Sequence, residues 1–359
     1  MPELPEVERF RRILLPLVSF DSNGDNEIDN KKTTKKKKTV GNRIILSLEG
    51  SDKPPRKWIS QEEIDKVCAG DNYYYCVDVL RKGKLICLRL QPGVKIRRYA
   101  KDKYLYLHMG MTGRISAFDQ RPMRLQSLKD DEGTLLFPPK YTHLSISAGD
   151  YKVAFSDPRK FGAVHLRDDL QLFHELAPDA LLMGFQGTNL WSETDSSLVS
   201  VLSQKLCDQS LGIKALLLDQ KRVLSGVGNW VADEVLYQCN MHPDQSFLTY
   251  DEALLLLEKL QHILTTAIDC LTKVDEGSSD DGDSSEYTDF PTDWLFPYRW
   301  TRKRAGSKDS QGRTITFIVR WKRSIEFAFR IPAPHSHLRL ACLSYPFSTH
   351  FRSIWSRPS

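Results

Sequence analysis

The spacing of apolar residues changes period twice along this chain, and those changes restrict what it can fold into. From Arg43 to about residue 167 the apolar residues come in short runs: NRIILSLEG, YCVDVL, KLICLRLQ, YLYLHMG, GRISAF, HLSISA, YKVAFS and AVHLRD. Each run is rich in β-branched, Leu or aromatic residues, and Gly, Asp and Pro punctuate them. That pattern predicts an antiparallel β unit. SAGDYKV predicts a tight hairpin with Gly149-Asp150 at its turn. Beyond about residue 174 the spacing turns helical, in SSLVSVLSQKL, GIKALLLDQKRVL, WVADEVLYQC and YDEALLLLEKLQHILTTAIDCL. One helix precedes the strands, from about Glu3 to Leu17, with Val7, Phe10, Leu14 and Leu17 on one face. A chain of 359 residues can hold two such units, each with its own core.

Polar stretches separate these units. SFDSNGDNEIDNKKTTKKKKT, about 20–40, is low in complexity and predicts a disordered insertion. Its lysines suit nuclear import or a nucleic-acid patch, and equally a solvated loop. KVDEGSSDDGDSSEYTDFPTD is acidic and rich in Gly and Ser. DWLFPYRWTRKRAG…GRTITFIV then suggests a hairpin around a polar turn, and the tail from about Arg320 has no period. The expected domains are 1–173, a sheet unit; 174–272, helical; 273–293, an acidic linker; 294–319, the hairpin; and 320–359, a divergent tail. The net charge of +5 is compatible with a polyanion partner without requiring one. The seven cysteines form no CxxC pair, which argues against a four-cysteine zinc site, and several in apolar runs are expected as reduced core thiols. No run is long enough to span a membrane, and the start has no apolar signal core.

Four constellations could carry chemistry. MPELPEVE puts a proline at position 2 with Glu3 and Glu6 beside it. If Met1 is removed, Pro2 becomes a secondary amine able to form an iminium with an aldehyde-like sugar carbon, and a carboxyl could shuttle protons. An acid-capped helix start explains the same eight residues. In VLRKGKLICLRL, Lys82 and Lys84 flank Gly83 at the entry to a strand. Such a lysine could reach a phosphate or a departing group, or simply furnish a basic turn. In HMGMTG and DPRKFGA, Met111, Arg159 and Phe161 sit near tight turns. Apolar wedges with an Arg suit insertion into a base stack, although each residue singly reads as core or surface. In GIKALLLDQKRVLSGVGNWVADEVLYQC, Gly226 and Gly228 allow an anion-binding nest. Asn229 is expected to cap the next helix, and Lys214 to add charge to the same phosphate. A plain helical hairpin is the alternative. Asp219 is expected on a helix surface or behind the site. His335 and His337 lack further partners for a metal.

MPELPEVE, RKGK, HMGMTG, DPRKFGA and the GIKALLLDQ…VGNWVADEVLY stretch occur in this order. Together they resemble the formamidopyrimidine-DNA glycosylase (Fpg/Nei) family of base-excision repair enzymes, over most of residues 1 to about 316. The resemblance implies an α+β fold. An N-terminal antiparallel β-sandwich flanked by helices would join a C-terminal helix-two-turns-helix domain with a zincless β-hairpin finger. It implies damaged double-stranded DNA as partner, no cofactor, no metal and a monomer. Pro2 would attack C1′ of a flipped nucleotide, with Glu3 as general acid/base and Glu6 supporting the pocket. Lys84 rather than Lys82 would assist at the phosphate and in catalysis. Elimination would nick the strand on the 3′ and then the 5′ side. Met111, Arg159 and Phe161 would fill the void, and His108, Lys214 and Asn229 would contact phosphates.

Three departures from that pattern stand out. The bacterial four-cysteine finger is missing, and the segment from Asp293 resembles the zincless finger of plant and fungal members. TFIVRWKRSIEF offers no obvious phosphate-gripping Arg, so the tail after Val319 is expected to be a mistranslated or misspliced end. Tyr141 stands in Lys140-Tyr141-Thr142-His143 where the family has a His. The function expected is removal of oxidised purines with strand cleavage at abasic sites. The alternatives are a catalytically impaired damage-binding relative and a Nei-like enzyme for oxidised pyrimidines. Anything ahead of Pro2 would block its amine, so nucleus or cytosol is expected, with the lysine run favouring the nucleus.

Overall fold

The structure is a computed structural model describing residues 2–18, 42–49, 58–68, 73–93, 100–118, 137–181, 196–275 and 290–298. The lysine-rich insertion, most of the acidic stretch, nearly all of the expected finger and the whole tail lie outside the described residues.

Helix α1 (Leu4–Leu14) opens the fold. Glu3 is its N-cap, and Glu6 three residues on completes a capping box in which the Glu3 amide donates to Glu6 Oε2 at 3.0 Å. The sequence predicts a helix to Leu17, but the last turn is a 3₁₀ turn, Leu15–Leu17. Pro16 is the cause, since it has no N–H to donate and its ring crowds the preceding carbonyls.

The predicted β unit is two four-stranded antiparallel sheets. The first has the order β1 (Ile44–Leu48), β6 (Thr142–Ala148), β7 (Tyr151–Ser156), β5 (Arg114–Ala117). The second runs β2 (Tyr74–Lys82), β3 (Leu85–Pro92), β4 (Lys103–His108), β8 (Ala163–Arg167). Along β6 burial alternates strictly, so Leu144 and Ile146 enter the core while Ser145 and Ser147 face outward. The β6–β7 hairpin turns at Gly149-Asp150 as expected, with Gly149 at φ +59°. On β3 the unbroken run Ile86-Cys87-Leu88 is buried on both faces. Ile86 and Leu88 face the core between the sheets, and Cys87 meets Tyr106 and Phe173 on the far side. The six cysteines among the described residues are free thiols, and burial pushes Cys76 up to about 12.

Two short helices have no counterpart in the sequence reading: α2 (Gln61–Cys68) and α3 (Gln171–His174). The signal for α2 was present. Ser60 and Glu63 form a reciprocal capping box, Ser60 N donating to Glu63 Oε2 at 2.9 Å and Glu63 N to Ser60 Oγ at 3.2 Å.

Four helices follow: α4 (Ser196–Cys207), α5 (Ile213–Leu218), α6 (Asn229–Cys239) and α7 (Tyr250–Asp275). The helix expected through GIKALLLDQKRVL stops at Leu218. Asp219 stops it by turning its side chain onto the following turn, accepting the backbone Lys221 N at 3.0 Å and the Arg222 guanidinium Nε at 2.9 Å. Asp219 is therefore a turn former, not a helix-surface residue. Helix α1 contributes to two cores. Val7, Phe10, Ile13 and Leu14, with Leu17 of the following 3₁₀ turn, belong to the sandwich core, while Leu4 belongs to the core of the helical unit with Leu216, Val227 and Trp230. Each such buried side chain contributes roughly 1.5–3 kcal/mol, so α1 fastens the two units together. Among the described residues no helix is long and apolar enough to cross a membrane.

Candidate active site and nucleic-acid interface

The two units meet where α1 begins. Pro2 is half-buried, and Glu3 beside it is 1% exposed. The Glu3 carboxylate lies across the N-terminus of α6, where Trp230 N donates to Oε1 at 2.9 Å and Val231 N to Oε2 at 3.1 Å. A helix N-terminus attracts an anion because its first amides have no intrahelical acceptor. Here an internal carboxylate meets that need. Glu6 follows the same direction, accepting Trp230 Nε1 at 3.2 Å through Oε1. The turn before α6 closes on the same spot, with Leu4 N donating to Gly226 O at 3.2 Å. Glycine at 228 leaves room for this carboxylate, since a Cβ there would lie 2.6 Å from Glu3 Oε2 and would displace it.

Asn229 was expected to cap α6. Gly228 is the N-cap instead, Asn229 is the first helical residue, and the capping oxygens come from Glu3, 227 and 228 positions ahead of the amides they accept. Asn229 remains partly exposed. Lys214 was expected to face a phosphate. It is 1% exposed, and its Nζ donates to Asp233 Oδ1 at 2.6 Å inside the helical unit. Burial of an ammonium requires a partner, and Asp233, four residues into α6, supplies it.

The β2–β3 hairpin brings its turn, Gly83-Lys84, to the same junction. Gly83 has φ +58°, and its missing side chain lets it pack on Ser225. The two lysines separate clearly. Lys82 Nζ donates to Phe173 O and Leu176 O, both at 2.9 Å, which is a structural use. Lys84, in the turn rather than on the strand, lies within electrostatic reach of Glu3 and Glu6. Burial pulls its ammonium below the ordinary lysine value, and the two carboxylates pull it part of the way back.

Strand register carries this cluster to the second one. Leu85, next to Lys84, pairs with His108, which in turn pairs with Ala163. One end of the sheet therefore presents Lys84, His108 and the turn before β8. His108 is exposed, and its Nδ1 accepts Gly110 N at 3.2 Å. Met111 and Phe161 are 43% and 52% exposed, and the Arg159 guanidinium lies 4.8 Å from the Phe161 ring centroid.

The sequence reading missed what holds this group. Asp157 is fully buried and accepts Thr112 Oγ1, Arg159 N at 3.2 Å and Gly162 N at 2.7 Å. Its own amide donates to Tyr141 O, which sets the exposed Tyr141 beside the same turns. Behind them Trp58 stacks on Phe155 at 4.7 Å and donates from Nε1 to Gly162 O at 3.1 Å. An Asp just ahead of Pro and Arg was visible in the sequence as a turn signal.

Residues 1–164 match the family described as the Formamidopyrimidine-DNA glycosylase N-terminal domain, and residues 189–277 the Formamidopyrimidine-DNA glycosylase H2TH domain. A formamidopyrimidine-DNA glycosylase of Shouchella clausii is 30% identical over 272 residues, covering 75% of this chain and 78% of that protein. One of Arabidopsis thaliana is 27% identical over 335 residues, covering 91% of this chain and 70% of the relative. In fold, the chain is similar to the Lactococcus lactis formamidopyrimidine-DNA glycosylase bound to DNA containing an abasic site. That similarity has a TM-score of 0.55 at 20% identity, over 91% of this chain and 98% of that one. A variant of the same protein with Fapy-dG-containing DNA gives 0.57 at 21% identity over the same shares. Fold, site and relatives together define the class: a base-excision DNA glycosylase. The chain belongs to the formamidopyrimidine-DNA glycosylase family.

Proposed function

We propose that this glycosylase removes oxidised purines such as 8-oxoguanine and formamidopyrimidines from duplex DNA, and then cleaves the strand as a lyase. The observation that carries this reading is the seat of Glu3 at the α6 N-terminus, next in sequence to Pro2, with Lys84 within electrostatic reach of the Glu3 and Glu6 carboxylates at the junction of the two units. With Met1 removed, the Pro2 nitrogen attacks C1′ of an extruded nucleotide. The glycosidic bond breaks, and its electron pair leaves with the base, which takes up a proton. Lys84, more acidic than an ordinary lysine, is suited to supply that proton. Opening of the sugar gives an iminium. Loss of a C2′ proton then expels the 3′ phosphate, and a further elimination releases the 5′ side. Glu3 and Glu6 move protons and hold the amine in place. Met111 and Phe161 enter the vacated stack while Arg159 pairs with the orphaned base. His108 and Asn229 contact the backbone, and Lys214 supports α6 through Asp233. The protein acts as a monomer in the nucleus, without a metal.

Borohydride trapping on duplexes carrying an abasic site or 8-oxoguanine tests the nucleophile. Wild-type protein is expected to give a covalent adduct, and Pro2→Gly to lose most of it. An undiminished adduct in Pro2→Gly would overturn the assignment, and a wild-type protein that binds but never traps would be a damage-binding relative. Lys84→Ala is expected to slow 8-oxoguanine release by about a hundredfold and abasic-site cleavage much less. Equal losses on both substrates would assign Lys84 to general DNA binding.

A further inference from the structure

The Lys84 side chain makes no hydrogen bond or ion pair among the described residues, yet the turn that holds it lies against Gly226 and Leu4, within electrostatic reach of Glu3 and Glu6. What holds that turn is a carboxylate of the segment joining the two units. Asp179 Oδ2 accepts Gly83 N at 2.6 Å and Arg81 Nη1 at 2.6 Å, while Oδ1 accepts Arg81 Nη2 at 3.2 Å and Leu181 N at 3.0 Å. Both oxygens are fully used. Arg81 then continues the chain of charges, with Nε donating to Glu8 Oε2 at 2.9 Å on α1. Arg81, Asp179 and Glu8 keep 4%, 8% and 6% of their side-chain surface.

Such a triad is costly to bury, and hydrophobic side chains of the same volume would serve stability as well or better. Its geometry therefore points to position. It joins α1, which carries Pro2 and Glu3, to the hairpin that carries Lys84. Asp179 also pairs through its backbone with Ser225, and Ser225 packs on Gly83 and leads into the turn before α6. Three pieces of chain thus meet through one guanidinium and one carboxylate, and the turn before α6 joins them through the backbone of Asp179. The bidentate contact between Arg81 and Asp179 has the planar fork that lysine cannot reproduce.

We infer that Asp179, acting with Arg81, is a positioning residue for base release: it sets the Gly83-Lys84 turn against the amine, and its effect on the reaction passes through Lys84. The inference rests on the role given to Lys84 above. Asp179→Asn removes the charge and one acceptor while keeping the shape. Base release from an 8-oxoguanine duplex is expected to fall by about tenfold to a hundredfold, as for a reacting group displaced by a fraction of an ångström to an ångström. Cleavage of a duplex with a preformed abasic site is expected to change far less.

A double-mutant cycle decides the matter. In a Lys84→Ala background, adding Asp179→Asn is expected to leave base release within about twofold, since the group it positions is gone. If the two losses multiply instead, Asp179 acts on the structure at large and the inference falls while the role of Lys84 stands. If Lys84→Ala alone leaves base release unchanged, the role of Lys84 falls and the inference with it. Thermal melting accompanies each variant. Should Asp179→Asn melt below the assay temperature, Arg81→Lys, which keeps the charge and loses the fork, completes the same cycle with the same expected outcomes.

Discussion

At Glu3 one carboxylate serves two helices. It caps α1 locally and, through both oxygens, the amides of Trp230 and Val231 that open α6. The second set of bonds occupies the space that a side chain at position 228 would fill. Gly228→Ala is therefore expected to push the carboxylate off the helix end, leaving two buried amides without acceptors. Denaturant unfolding should show a loss of roughly 1–3 kcal/mol, and borohydride trapping should fall with it. Trapping at the wild-type level in that variant would separate the Glu3 seat from the chemistry. The sequence disclosed Glu3 and Gly228 as interesting for separate reasons, an acid near a proline and a glycine in a turn. Nothing in linear spacing says that residues 3 and 228 touch. For the same reason Lys214 looked available for a phosphate: its partner Asp233 was read only as a helical residue.

Among the elements, the turns after β4 and β7, each of which crosses from one sheet to the other, behave as one part. Asp157 bonds to both, through Thr112 on one side and the amides of Arg159 and Gly162 on the other. Gly110, at φ +59°, lies so close that a Cβ would stand 2.5 Å from Phe161 O. Gly110→Ala is expected to pry the turns apart, costing roughly 1–3 kcal/mol in strain. It should also weaken base extrusion, read as a smaller rise in 2-aminopurine fluorescence when a labelled duplex is bound. An unchanged rise would show that Met111 and Phe161 do not depend on each other. Elements were the most legible scale. Strict alternation in HLSISA and 3.6-residue spacing in YDEALLLLEKL report burial directly, and those strands and helices are present. The failures were local competitions: Pro16 tightening the end of α1, and Asp219 folding back to end α5. The Ser60–Glu63 box of α2 was readable and overlooked.

Across the whole molecule, the chain returns to α6 after the acidic stretch. Phe290, Trp294 and Phe296 gather with Trp230 in the helical core, and Glu234 accepts Leu295 N at 3.2 Å and Phe296 N at 3.0 Å. Burial is the chief cause that lifts Glu234 from 4.5 to about 7, against the pull of those amides and of Gln238. A raised value means that the folded protein holds this proton more tightly than the unfolded chain. Its contribution to stability is complete below about pH 4.5 and is lost as pH climbs through about 7. The difference amounts to roughly 3 kcal/mol. Urea midpoints at pH 5 and pH 8 should show the wild type losing stability, and Glu234→Gln losing distinctly less over the same interval. Identical slopes would rule out Glu234 as the source. Glu8 shows the opposite behaviour, since its arginine partners outweigh its burial and keep it lowered. Buried charge of this kind leaves no periodic trace, so this scale was the least legible in the sequence. The placement of Leu4 in the helical core and of its neighbours in the sandwich also has a practical corollary. In a chimaera of two relatives recombined between their halves, the opening hexapeptide must travel with the recipient's second half, because it was fitted to that half and not to the strands that follow it.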